Sequence, residues 1–116
     1  MSNYTIYHNP RCSKSRQTLA LLEENSIAPE VVEYLQNPPD AQTLEQILSM
    51  LGLQPRELMR RKEAAYAENN LADDTLSDDA LIQAMIDNPI LIERPIVIHD
   101  GRAVLGRPPE NVLELI

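Results

Sequence analysis

Nine prolines cut this chain into short segments, and their positions set where helices and strands can begin and end. A proline fixes φ, lacks an amide hydrogen and pushes the preceding residue out of the α region, so few elements run through one. Thr5-Ile6-Tyr7 reads as a strand that Asn9-Pro10 breaks. Residues 13–25 follow as a helix, with a serine available as cap and Leu19 and Leu22 on one face. After Pro29, residues 31–34 read as a second strand, and Asn37-Pro38-Pro39-Asp40 as a loop.

Residues 43–51 place Leu44, Ile47, Leu48 and Leu51 at i, i+3, i+4 and i+7, the stripe of an amphipathic helix. Thr43 and Gln46 have capping-box spacing, and Gly52 stands where a C-terminal glycine belongs. Pro55 opens a further helix to about Lys62, and the acidic stretch 63–76 is expected to be mostly irregular. Ser77 or Asp78 can cap a helix to Asp87 that turns Leu81, Ile82, Met85 and Ile86 inward. Ile96-Val97-Ile98 reads as a buried strand, and Asp100-Gly101 as a hairpin turn returning through residues 103–105. Pro108-Pro109 ends that strand before a last short helix over 110–115. The order is β-α-β, a helical middle, then β-β-α. It predicts an α/β chain with a thioredoxin-like (glutaredoxin-like) mixed sheet flanked by helices and a helical insertion in the middle. All 116 residues are expected to form one domain.

Ten Lys and Arg against eighteen Asp and Glu leave a formal charge of −8, which repels nucleic acid and anionic lipid. Four tyrosines with no Phe or Trp make base stacking a poor prospect and leave the core to Leu, Ile, Val, Ala and Met. No apolar run approaches the roughly 20 residues needed to span a bilayer, and the first residues do not read as a signal peptide. With one cysteine there is no internal disulfide. These features predict a soluble, cytoplasmic, monomeric protein without nucleic-acid or membrane partners.

That cysteine, Cys12, carries the functional signal. It falls at the strand-to-helix turn, where unpaired amides and the helix dipole favour thiolate over thiol. Arg11, Lys14 and Arg16 add positive charge in an otherwise acidic chain. Such settings lower a thiol pKa from about 8.5 into roughly 3.5–7.5. Ser15 could donate a hydrogen bond to the sulfur, and His8 could polarise it or carry its proton. A lone cysteine is more often a small buried hydrophobe, but these polar, basic flanks argue against that role. Cys12-Ser13-Lys14-Ser15 has no second thiol, so a mixed disulfide or adduct must be resolved by an external thiol. One Cys and two separated histidines give no metal site.

The motif His8-Asn9-Pro10-x-Cys12-x-x-Ser15-Arg16 resembles the ArsC family of glutaredoxin-coupled arsenate reductases. So do Tyr34-Leu35-x-x-Pro38-Pro39, Leu58-x-Arg60, the run from Pro89 through Arg94-Pro95 to Val97, and Arg107-Pro108. The resemblance covers nearly the whole chain. It implies that Cys12 attacks arsenate, that Arg94 and Arg107 hold the oxyanion, and that Arg60 stabilises the arsenylated cysteine. It implies glutathione as co-substrate and glutaredoxin as partner, with no tightly bound cofactor, and a cis peptide before Pro95. Read without the resemblance, Arg60 in Arg60-Arg61-Lys62 would be a solvated helix face, and His99 plain surface. Two other functions fit the sequence less well. One is a glutathione-linked thiol reductase with a substrate other than arsenate. The other is an Spx-like regulator that binds RNA polymerase, although such proteins usually carry a CxxC pair.

Overall fold

The structure is a computed structural model that describes residues 4–93 and 95–116. Its four-stranded sheet has the order β2-β1-β3-β4, built from β1 (Tyr4–Tyr7), β2 (Glu30–Val32), β3 (Ile96–His99) and β4 (Arg102–Leu105). β1 pairs with β2 in parallel and with β3 in antiparallel register, and β3 pairs with β4 antiparallel. The β3–β4 turn places Asp100 at φ 55° and Gly101 at φ 75°, the two left-handed residues that a type I′ hairpin needs. This is the thioredoxin-like mixed sheet expected from the order of elements.

The described residues fall into two compact units, one through Asn37 and again after Arg94, the other Pro38–Glu93. The first holds the sheet and α1 (Ser13–Glu24). Its core is Ile6, Leu22, Val97, Val112 and Leu115, with Leu19, Ile27 and Val104 packed against it. The closing segment Pro109–Leu115 is 3-10 helix and buries Val112 and Leu115. Tyr4 stacks on His99, its cross-strand partner, at 3.8 Å between ring centroids, and donates to Leu115 O at 2.9 Å. His99 is therefore half-buried packing rather than plain surface.

The second unit is the helical middle: α2 (Ala41–Leu51), α3 (Pro55–Leu58), α4 (Ala64–Glu68) and α5 (Asp78–Asp87). α5 packs on α2 and α3 and buries Leu81, Ile82 and Met85 against a core that includes Leu44, Ile47 and Leu58. Ser77 caps α5 by accepting Ala80 N–H, and Gly52 ends α2 at φ 70°.

Several boundaries differ from the sequence reading for physical reasons. The second strand stops at Val32 because the chain turns at Glu33, whose carbonyl accepts the amides of Gln36 and Asn37. α2 begins two residues early because Asp40, not Thr43, supplies the cap, accepting Thr43 N–H at 2.8 Å. That bond also holds the Asp40 carboxyl below its ordinary pKa. α3 ends at Leu58 rather than near Lys62, since Met59 leaves the helix to bridge Ile92. The stretch 63–76 contains a helical turn, and Arg56 ties its remainder down. The Arg56 guanidinium donates to Tyr66 Oη and Asp73 O, each at 3.0 Å, and to the carbonyl of Leu71.

Candidate active site

The site starts from the break in β1. Cys12 N–H donates to Asn9 O at 3.0 Å, and Arg11 N–H donates to the Asn9 side-chain oxygen at 3.0 Å. The loop therefore turns tightly around one buried asparagine. Cys12 itself is the N-cap of α1, at φ −93° and ψ 122°, where a serine cap was expected. Its carbonyl takes the Arg16 amide at 3.0 Å, the first hydrogen bond of the helix. The amides of that first turn have no acceptor within the helix, and the dipole favours negative charge beside them. Arg16 folds back to Pro10 O at 2.9 Å, so its charge stays at the loop.

The fully buried residues of α1 are polar in its first turns, Ser15 and Thr18, and apolar at Leu22. Ser15 Oγ lies 2.6 Å from His8 Nδ1 and accepts Asn9 N–H at 3.0 Å. Two proton arrangements satisfy this contact. Either the serine hydroxyl donates to Nδ1, or Nδ1–H donates to the oxygen and releases the hydroxyl hydrogen for another acceptor. Burial lowers the His8 pKa below its ordinary 6.5; Glu33 opposes that shift and Arg16 adds to it. The neutral ring, which the first arrangement needs and the second permits, is thereby favoured near neutral pH.

Arg107 arrives from the far end of the sheet. Its Nη1 stands 4.0 Å from Cys12 Sγ. The backbone that delivers it is fixed on three sides. Gly106 N–H donates to Pro95 O at 2.9 Å, Thr18 Oγ1 donates to Gly106 O at 3.3 Å, and Asn111 Nδ2 donates to both Leu105 O and Arg107 O at 3.2 Å. A Cβ on Gly106 would lie 2.5 Å from Thr18 Oγ1 and 2.7 Å from Pro95 Cγ, so the approach requires glycine. The Arg107–Pro108 peptide is cis. Arg94, and with it the peptide expected to be cis before Pro95, lies outside the described residues.

Four expected site residues lie in the sheet unit as two pairs, His8 with Ser15 and Cys12 with Arg107. Arg60 belongs to the 38–93 unit. It lies past α3, not on a charged helix face, and its guanidinium is held by Glu63 and Glu93. Sequence reading missed those glutamates, together with Thr18, Gly106 and Asn111. The spacing of Ser15, Thr18 and Leu22 on one helical face was a usable signal, overlooked because only apolar residues were counted as inward. Among the described residues no three His, Cys, Asp or Glu side chains are grouped to hold a metal, and no helix is long and apolar enough to cross a membrane.

The class these features define is a thioredoxin-like sheet with a cysteine at the N-cap of its first helix and an arginine facing it. Residues 7–115 match the model of the ArsC family, and the chain belongs to that family. It is 63% identical over 112 residues to the Escherichia coli K12 protein YfgD, described as uncharacterized, covering 96% of this chain and 94% of that one. It is 51% identical over 113 residues to an arsenate reductase of Neisseria meningitidis serogroup A, covering 97% of each chain. The solved structure of an arsenate reductase from Vibrio cholerae superposes with a TM-score of 0.96 at 55% identity, covering 98% of each chain.

Proposed function

We propose that the protein is an arsenate reductase in which Cys12 is the nucleophile and glutathione and glutaredoxin supply the electrons. The observation that carries this reading is the Cys12 sulfur at the N-cap of α1 with Arg107 Nη1 4.0 Å away. A thiolate and a guanidinium so close can share one tetrahedral oxyanion, with the sulfur attacking while the charge is held. The relatives named as arsenate reductases match the chain over nearly its whole length and support the same chemistry.

The Cys12 thiolate attacks arsenic(V), and an As–S bond forms as an oxygen leaves as water. Arg107 and Arg94 hold the oxyanion, and Arg60 stabilises the arsenylated cysteine. His8 and Ser15 keep the thiol ionised by moving its proton between them. Glutathione then adds its sulfur to arsenic as a second oxygen departs as water. A glutaredoxin thiolate attacks the glutathione sulfur and forms a disulfide with it. The S–As electron pair stays on arsenic, which becomes arsenic(III), and water displaces it from Cys12 as arsenite. The external thiols are required because the chain has no second cysteine.

The test is arsenate-dependent NADPH consumption with glutathione, glutathione reductase and glutaredoxin. The wild type should turn over, and Cys12→Ser should lose at least about a thousandfold in rate, as expected when a nucleophile is removed. A Cys12→Ser protein at the wild-type rate would sink the mechanism. Turnover of another glutathione-linked substrate with far higher kcat/KM would move the protein to a different reductase of the same chemistry.

A further inference from the structure

Two carboxylates converge on Arg60, and the local backbone brings both of them there. Met59 and Ile92 form an antiparallel bridge in which Arg60 N–H donates to Leu91 O and Glu93 N–H to Leu58 O. The bridge sets Arg60 and Glu93 on adjacent extended segments. A turn follows in which Glu63 N–H donates to Arg60 O at 3.2 Å, bringing Glu63 back to the same side chain. Arg60 Nε then meets Glu63 Oε1 at 3.2 Å, and Nη1 meets Glu93 Oε1 at 3.1 Å. The three side chains are 24%, 27% and 25% exposed, in that order.

Ion pairs this open to water are weak stabilisers, so a purely structural role explains them poorly. Their effect on ligand binding is larger. Of the five guanidinium hydrogens, the Nε hydrogen and one on Nη1 are committed to carboxylates. Two negative charges also sit against the group that, in the reading above, must attract an anion.

Resting on that reading of Arg60, we propose that Glu63 and Glu93 are specificity-determining residues that hold Arg60 and weaken its grip on multiply charged oxyanions. The site then disfavours a fully ionised arsenate relative to an anion of lower charge. Removing either carboxylate charge should strengthen anion binding, whereas loss of a merely structural contact could only weaken it. This difference of sign separates the two roles.

The experiment compares wild type with Glu63→Gln, Glu93→Gln and the double variant, and repeats the set in an Arg60→Ala background. Two quantities are read: KM for arsenate in the coupled assay, and the arsenate concentration that half-protects Cys12 from iodoacetamide. Each glutamine should lower both by about threefold, the size expected of one partly exposed charge. The gain should shrink as salt is raised and vanish without Arg60. Either single variant that folds suffices. Unchanged or weaker affinity overturns the proposal, as does a gain that persists without Arg60. If no protein turns arsenate over but protection tightens as stated, the arsenate reading fails and this proposal stands. If turnover is normal and neither quantity moves, this proposal alone fails.

Discussion

Arg107 and Arg60 are given neighbouring duties by the family resemblance, yet the fold holds them in opposite ways. Arg107 is placed by its backbone: Gly106 against Thr18 and Pro95, and Asn111 on the carbonyls of residues 105 and 107. Arg60 also leaves a pinned backbone, but its charged end is held by two side chains, Glu63 and Glu93. An arginine delivered by buried main chain can be moved only by disturbing the core. One held by partly exposed carboxylates can be retuned by a single substitution that leaves the fold alone. The first kind of placement suits a function that must not vary, the second a preference that can.

Gly106→Ala should break this contrast most severely. The added methyl meets the buried Thr18 hydroxyl and the Pro95 ring, so destabilisation of about 1–3 kcal/mol is expected from overpacking. Arsenate kcat/KM should fall with it, because the shifted strand end carries Arg107. Denaturant unfolding and the coupled assay should both register the change, whereas Glu63→Gln should move only the assay. A Gly106→Ala protein with wild-type stability and rate would show that the Arg107 backbone is not so constrained.

A smaller effect sharpens the picture of the loop after β1 and of the thiol it carries. His8 titrates below 6.5 when folded, chiefly through burial, while the unfolded chain keeps the ordinary value. Between those two values the unfolded state binds more protons, so the His8 contribution is complete above 6.5 and is lost as pH falls below it. Stability measured from about pH 7.5 down to about pH 5 should therefore fall less steeply in His8→Gln than in wild type. Equal slopes would mean that the ring is not held neutral by its surroundings.

Much of the sheet unit was legible because its signals are local. Asn9-Pro10 ends a strand, Asp100-Gly101 makes a hairpin, and a cysteine with basic flanks marks the helix start. What escaped depends on contacts between distant residues. Nothing in Arg60-Arg61-Lys62 says that the helix stops at Leu58, because the bridge that stops it comes from Ile92. Gly106 looks like any glycine after a strand until Thr18, 88 positions away, is found against it. The order of the acidic stretch 63–76 comes from Arg56, which a charge count reads as surface. Cys12, His8, Ser15 and Arg107 all stand out in the sequence, and the structure sets Arg107 beside Cys12 and Ser15 against His8. Ser15 Oγ is engaged with His8 and Asn9, two partners that the sequence does not reveal.

The central claim is that Cys12 is an activated thiolate beside an oxyanion site. Titrating the thiolate absorbance of the wild-type protein, alone and with arsenate or sulfate, tests this most directly. The account predicts a pKa well below the ordinary value of about 8.5, moved upward when a bound anion sits beside the sulfur. A thiol that titrates near about 8.5 and ignores both anions would contradict it.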